Sequence, residues 1–437
     1  MSGENSFKIL EKIFKAKNNQ NIEEIKGYTI KYGYIVDNEQ NIIDEVLVSY
    51  FKAPKSYTTE NMCEINTHGG TVILRKILEL CLRNGAELAE PGEFTKRAFL
   101  NGRIDLLQAE SVIDIINAKS EKEAKTSIKQ LEGNLSKKIN EIKQKILDVM
   151  VNVEVAIDYP EYDVEDATNE QILNMLNEVE GDLTKLEKSF DNGKIIKEGI
   201  KTAIIGKPNA GKSSLLNAIL KEERAIVTDI EGTTRDTIEE FVNINGIPLK
   251  LVDTAGIRNT ENEVEKIGVV KSKKIAEEAD LIVAIFDSSK ELTSEDIEIL
   301  DIIKGKKVII VLNKIDLESK IDENNPKLQE VSNYIVKISA LNDLGIENLY
   351  NKISEMFNLN EINVDNELVI TNLRHKNLIS KAIENVKKAR ETLENQMPSD
   401  IIAIFIKDIL ESLGEITGEE VTENIINEIF AKFCLGK

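Results

Sequence analysis

The stretch GKPNAGKSS, Gly206 to Ser214, places two glycines, two lysines and two serines at the spacing that wraps a phosphate chain. It follows an apolar run and opens a helical pattern, the context that a P-loop requires. Glycines there let backbone N–H groups converge on anionic oxygens, while Lys212 is expected to reach the β and γ phosphates and Ser213 to offer its hydroxyl to Mg²⁺. Asn209, Ala210, Gly211 and Ser214 complete the expected phosphate cradle. A ligand-free glycine turn would read the same in isolation, so the neighbouring motifs have to decide.

Three more motifs follow in order. Asp253-Thr254-Ala255-Gly256 ends the next apolar run, bringing a carboxylate toward the metal's water shell and a glycine N–H toward the γ-phosphate. Asn313-Lys314-Ile315-Asp316 ends a third run, where the Asp316 carboxylate can accept both N1–H and N2–H of guanine. Ser339-Ala340-Leu341 ends a fourth, where backbone N–H groups can meet the guanine O6. Ligands of α/β sheets bind beyond the carboxyl ends of strands, so four such tetrads in order imply GTP. Between the first two lies VTDIEGTTRDT, Val227 to Thr237, whose threonines are expected to form the first switch, Thr234 completing the Mg²⁺ shell and Thr228 and Thr233 lying beside the nucleotide. One residue breaks the pattern: Ile257 stands where a Ras-like GTPase keeps a water-orienting glutamine.

The elements that must carry these motifs are legible as periodicity. From about residue 199 to 359, continuous β-branched runs (Thr202 to Ile205, Leu249 to Val252, Leu281 to Phe286, Val308 to Leu312, Ile335 to Ile338) alternate with amphipathic patterns. Runs of that kind belong to strands buried on both faces of a parallel sheet, so a doubly wound, mostly parallel G domain is expected there. Residues 1–104 mix strand alternation (GYTIKYGYIVD, DEVLVSYFKA) with a helix after THGG, a small α/β domain. Residues 105–198 and 360–437 are helical: Leu131, Leu135, Ile139, Ile142 and Ile146 fall on one stripe, and Ile172, Leu176, Val179, Leu183, Leu186 and Phe190 on another, after a break at Tyr159-Pro160. A split all-α domain with the G domain inserted is the economical reading, giving a multidomain α/β plus all-α chain.

Composition narrows the class. The formal net charge of −21 opposes non-specific nucleic-acid binding, so any nucleic-acid partner must meet a local basic patch or be presented by another protein. Three cysteines (Cys63, Cys81, Cys434) without paired spacing suggest neither a disulfide frame nor a zinc knuckle. No apolar run is long enough to span a bilayer and the start has no signal-peptide layout, so a cytoplasmic protein without a membrane partner is expected. Of the two histidines, His68 beside Gly69-Gly70 is a candidate pocket residue and His375 reads as surface helix.

GKPNAGKSS, TDIEGTTRD, DTAGIR and NEVEKIG, together with NTHGG, EPGEFTKRAFLNGRIDLLQAE and a terminal FCLGK, resemble the MnmE (TrmE) family of tRNA-modification GTPases over nearly the whole chain. That resemblance implies a potassium-stimulated GTPase whose G domains dimerise with GTP bound, K⁺ taking roughly the place of an arginine finger. The implied ligands are the Asn209 side chain and backbone oxygens of Thr228, Ile230 and Thr233. Glu265 of NEVEKIG matches the family's catalytic glutamate and would supply what Ile257 cannot; on composition alone it reads as a solvated helix residue.

The reaction implied is modification at carbon 5 of the wobble uridine, position 34, carried out by a homodimer in a heterotetramer with the flavoprotein MnmG. The first domain is implied to bind a tetrahydrofolate derivative through Glu64, Arg103 and Lys437, a lysine standing at the Arg103 place in some members. Cys434 reads either as a catalytic thiol or as a small hydrophobe packing the tail. The family carries a glycine-rich strand and an arginine ahead of the segment matching Met1 to Gly3, so this sequence is expected to start without them, which bears on folate binding and dimerisation through that domain; Met1 itself is a candidate internal methionine. The rival reading is a regulatory GTPase switch in ribosome assembly without nucleoside chemistry. Such a protein would append a basic RNA-binding module, whereas this chain ends in acidic helices.

Overall fold

The computed structural model describes residues 1–18, 27–158, 165–221, 225–226, 240–252, 267–359 and 368–436. The chain opens with α1 (Ser6–Ile13), β1 (Phe14–Ala16), β2 (Thr29–Val36), β3 (Ile42–Phe51), β4 (Met62–Asn66) and α2 (Thr71–Arg83). Five helices follow: α3 (Glu93–Leu100), α4 (Leu106–Asn117), α5 (Glu121–Leu131), α6 (Asn134–Asp158) and α7 (Glu165–Glu198). Next come β5 (Ile200–Ile205), α8 (Lys212–Lys221), β6 (Ala225–Ile226), β7 (Glu240–Ile244), β8 (Ile247–Val252), α9 (Ile267–Glu278) and β9 (Leu281–Asp287). The remainder is α10 (Ser294–Ile303), β10 (Val308–Asn313), α11 (Pro326–Gln329), β11 (Ile335–Lys337), α12 (Ile346–Met356), α13 (Leu373–Glu394), α14 (Ser399–Thr417) and α15 (Glu423–Phe430). Two compact units result, one of Met1–Ile116, Ile128–Glu180 and Lys381–Lys437, the other of Asn117–Ser127 and Gly181–Ser380.

The first unit holds an antiparallel four-stranded sheet in the order β1-β2-β3-β4. Alternation along β3 buries Asp44, Val46 and Val48, and these valines pack with Leu10 and Ile13 of α1 and Ile77 and Leu80 of α2. The helical part is built on the pairing of α6 with α14. Ile139, Ile142 and Ile146 of α6 and Ile406, Ile409 and Leu413 of α14 have no exposed surface. Each such side chain contributes roughly 1.5–3 kcal/mol by leaving water, which is what makes helices with modest propensity stable here. Arg390 of α13 reaches Glu180 and Asn177 of α7, an ion pair across the helices.

The stripe expected to begin at Leu131 begins instead at Leu135. Leu131 ends α5, the Glu132-Gly133 turn intervenes, and the Leu131 carbonyl accepts from the Gln108 amide at 2.8 Å. A side chain thus satisfies a helix-end carbonyl that periodicity alone had carried forward into the next helix.

The second unit carries a seven-stranded sheet in the order β11-β10-β9-β5-β8-β7-β6. Its first five strands are parallel, and β9 and β10 are buried residue after residue rather than alternately, because helices cover both faces. The β7–β8 hairpin and β6 add an antiparallel edge that the sequence reading did not anticipate. At that edge Lys119 lies 3.9 Å from the Phe241 ring centroid, and Lys122 donates to the Leu359 carbonyl at 3.3 Å. His375, expected on the surface, is 3 % exposed. It sits four residues before Ile379 on the same α13 stripe as Ile383 and Val386, so helix phase outweighs its charged neighbours.

Candidate nucleotide site

In the second unit β5 delivers the P-loop and α8 begins at Lys212. Two close approaches demand glycine: a Cβ on Gly206 would lie 2.4 Å from the Ile285 carbonyl oxygen, and one on Gly211, at φ +105°, 2.0 Å from the Asn313 amide nitrogen. Asn209 is exposed at the crest of the loop in the left-handed region, φ +64°, and Ala210 is buried beneath it. Ser213 and Ser214 stand in the first turn of α8, where the helix dipole favours an anion.

The Lys212 ammonium donates to the Gly206 and Lys207 carbonyls, both at 2.8 Å. Burial alone pulls its pKa below the ordinary lysine value, since a desolvated cation lacks a full counter-charge. A polyanion in the cradle would supply that charge, so the residues present fit a nucleotide phosphate chain.

Register brings the guanine motif to the same place. Because β9 and β10 are parallel, Asn313 lies opposite Asp287 at the carboxyl ends of both strands. The Asn313 amide donates to the Ala210 carbonyl at 2.9 Å, and its oxygen accepts from the Ala340 backbone N–H at 3.0 Å. One buried side chain therefore ties the P-loop to the Ser339-Ala340-Leu341 loop. Asp316 is exposed and accepts from the Ser339 hydroxyl at 2.5 Å, while Leu341 is 79 % exposed beside it. Lys314, at φ +67°, donates to Asp287 at 2.6 Å.

The first-switch residues Thr228, Ile230, Thr233 and Thr234, the tetrad Asp253-Thr254-Ala255-Gly256, Ile257, Glu265 and the terminal Lys437 lie outside the described residues. Among the described residues, no cluster of three or more His, Cys, Asp or Glu could hold a metal ion. The P-loop chemistry asks for less, a serine hydroxyl at Ser213 with phosphate oxygens completing the shell.

In the first unit the folate candidates stand apart. Glu64 is exposed on β4, opposite Ser49. Arg103 is exposed after α3, its guanidinium 4.7 Å from the Tyr57 ring centroid and donating to the Tyr57 carbonyl at 3.0 Å. Among the described residues no hydrogen bond joins Glu64, Arg103 and Cys434. Cys434 is exposed, which removes the reading of its thiol as packing for the tail; its carbonyl accepts from Gly92 N–H at 3.3 Å. His68, also exposed, is paired with the buried Asp44 at 2.8 Å. Burial pushes the Asp44 carboxyl up, but the hydrogen bonds from His68 and Glu45 outweigh it and hold the pKa below the usual aspartate value.

Sequence reasoning missed Asp287, Lys207 and Asp296. Asp287 ends an apolar run as FDSS, a signal of the same kind as the tetrads, and TSED at Thr293 to Asp296 is a capping pattern. Neither advertises that its carboxylate reaches a lysine on another loop.

A family model described as "GTP-binding protein TrmE N-terminus" matches residues 1–103, and one described as "MnmE helical domain" matches residues 106–434. A protein of Clostridioides difficile (strain 630), "tRNA modification GTPase MnmE", is 53 % identical over 437 residues, all of this chain and 95 % of that one. Proteins of the same name from Alkaliphilus oremlandii (48 % identical) and Thermoanaerobacter pseudethanolicus (52 %) also align with 100 % of this chain and 95 % of their own. Among solved structures, the G domain of the T. maritima FeoB iron transporter is 29 % identical over 36 % of this chain and 98 % of that one, at a TM-score of 0.27. The two family models between them account for residues 1–103 and 106–434, and the relatives for the chain end to end: it belongs to the MnmE (TrmE) family.

Proposed function

We propose that this GTP hydrolase is a potassium-activated enzyme that pairs its G domains in the GTP state. In this reading hydrolysis drives modification at carbon 5 of the tRNA wobble uridine, in the cytoplasm, by a homodimer working with the flavoprotein MnmG. The observation that carries the reading is likeness along the full chain, 53 % over 437 residues, to a relative named a tRNA modification GTPase. Its four parts are 1–104, 105–198, 199–359 and 360–437, the first binding a tetrahydrofolate derivative through Glu64, Arg103 and Lys437.

Each residue has a physical task. Lys212 holds the β and γ phosphates, and Ser213 with Thr234 holds Mg²⁺. Asn209, at the exposed crest of the P-loop, offers its side-chain oxygen to K⁺ together with Thr228, Ile230 and Thr233, a set of neutral oxygens suited to a hard cation. When bound, the two cations neutralise charge that accumulates between the phosphates. Glu265 orients the attacking water in place of Ile257, and Asp316 with the Ala340 loop reads guanine.

The test is GTP hydrolysis in matched KCl and NaCl, with Glu265→Ala alongside. The reading expects at least about tenfold stimulation by K⁺, lost in the variant. Equal rates in the two salts, or an undiminished variant, would overturn it.

A further inference from the structure

The segment from the last residue of β9 into the first turn of α10, Asp287 to Asp296, contains none of the nucleotide motifs, yet the carboxylate at each of its ends grips a lysine from a loop that does. Asp287 Oδ2 accepts from Lys314 Nζ at 2.6 Å, while Ser289 N–H and hydroxyl donate to Oδ1 at 3.1 and 2.7 Å. The carboxylate is thereby aimed, Oδ1 engaged by its own turn and Oδ2 presented to the guanine loop, with the exposed Lys290 ammonium more distant at 3.7 Å. At the far end Asp296 Oδ2 lies 2.6 Å from Lys207 Nζ of the P-loop, and Thr293, which shares a capping box with Asp296, accepts from the same ammonium at 2.7 Å.

We propose that Asp287 and Asp296 are positioning residues for the nucleotide, a brace that sets the guanine loop through Lys314 and the P-loop through Lys207. This rests on the reading of Asp316 as the guanine-binding carboxylate.

Three observations carry it. Lys314 occupies the left-handed region at φ +67°, a conformation that costs a non-glycine residue energy and persists where surroundings enforce it. The Asp287 carboxylate does the enforcing from 10 % side-chain exposure, where an ion pair is poorly screened. Asp316 lies two residues beyond Lys314, so the turn that Asp287 holds is the turn that presents the guanine-reading carboxylate. The pKa of Asp287 agrees: burial pushes it up, but hydrogen bonds from Lys314 and Ser289 prevail and hold it below the ordinary value. At the other end Asp296 is 6 % exposed and Lys207 23 %, a second shielded pair.

The experiment is equilibrium binding of a fluorescent GDP to the full chain, competed by unlabelled GDP, IDP and ADP. IDP lacks the guanine N2 amine, so the GDP-to-IDP ratio reports the placement of Asp316 and not the fold. Asp287→Ala is expected to weaken GDP about tenfold and to lower that ratio at least about threefold. Asp287→Asn, which keeps the shape and an accepting oxygen, is expected to weaken GDP about two- to fourfold and stands in if the alanine variant does not fold. Both effects should vanish on a Lys314→Ala background, because a positioning residue acts only through its partner. Asp296→Asn should weaken GDP and IDP equally, by about two- to fivefold, since Lys207 lies on the phosphate side. Wild-type affinity and ratio in Asp287→Asn, an effect undiminished without Lys314, or unchanged GDP affinity in Asp296→Asn would overturn the brace. A wild-type chain that binds ADP as well as GDP would overturn the guanine reading itself, a result distinct from failure of the brace.

Discussion

On the nucleotide face Asn313 ties Ala210 to Ala340, and Lys314 and Lys207 are each gripped by a shielded carboxylate. In the N-terminal unit Glu64 and Arg103 are exposed, and the Arg103 guanidinium rests on Tyr57. The difference teaches how a site is assembled. Motifs at the carboxyl ends of neighbouring parallel strands are brought together by register, so one sheet does the positioning. Glu64 and Arg103 share no such frame: one rides on a strand, the other on a turn after a helix.

The comparison breaks first, and by the largest margin, at Lys212. Lys212→Ala should lower kcat/KM for GTP by on the order of 10²–10³, because it removes the half-buried cation of the P-loop on which the proposed phosphate cradle relies. Steady-state kinetics with folding checked by melting would expose a smaller loss, which would mean the cradle does not rely on it. Next comes the tie itself. Asn313→Ala strands a buried carbonyl and a buried N–H, at a cost of about 1–3 kcal/mol in stability. Denaturant unfolding without nucleotide measures this, and a silent variant would reduce the tie to coincidence.

A third test contrasts two carboxylates of opposite electrostatic character. Asp105, half-buried at the start of α4, has its pKa raised by burial despite the hydrogen bond from the Gln108 backbone N–H, whereas Asp287 is held low. For Asp105 the folded pKa exceeds the unfolded one, so its contribution is full below the unfolded value and is lost as pH rises through the folded value. For Asp287 the contribution is present above the unfolded pKa and lost as pH falls through the folded one. Asp105→Asn should therefore raise the melting temperature at pH 7 by roughly 1–3 °C, since asparagine caps a helix as well as aspartate does. The gain should shrink toward zero near pH 3, where both side chains are neutral; a gain independent of pH would assign it to something other than charge. The smallest effects belong to Glu64→Gln and Arg103→Ala. Both should change stability by less than about 0.5 kcal/mol and leave GTP hydrolysis untouched. Titration with a tetrahydrofolate derivative is where they should show, as weakened binding; a large loss of stability would make them structural residues instead.

Much of this was legible beforehand for identifiable reasons. Continuous apolar runs such as Val308 to Leu312 read as doubly covered strands because both of their faces are buried, and β10 is so buried. The cradle glycines were legible because a close backbone approach excludes any side chain. The antiparallel edge was not, since a short hairpin such as β7–β8 carries too little pattern to oppose a parallel reading. His375 was misread because local charge was weighed above helix phase, and Leu131 because the turn at Glu132-Gly133 keeps it four residues ahead of Leu135. Glu265, the first switch and the potassium ligands Thr228, Ile230 and Thr233 lie outside the described residues, whereas Asn209 lies within them.

What the sequence determined by itself is chemistry tied to local order: a glycine-rich loop between strand and helix, an Asn-Lys-Ile-Asp tetrad three apolar runs further on, two amphipathic helical stretches around an inserted sheet. Period and neighbour identity encode these within a dozen residues. What only the tertiary structure decided is which polar groups answer one another across that distance: Asn313 to Ala210 and Ala340, Asp287 to Lys314, Asp296 to Lys207. These pairings depend on strand register and on the path of the loop after β9. Both emerge when two faces of the sheet are packed at once, and no local pattern carries them.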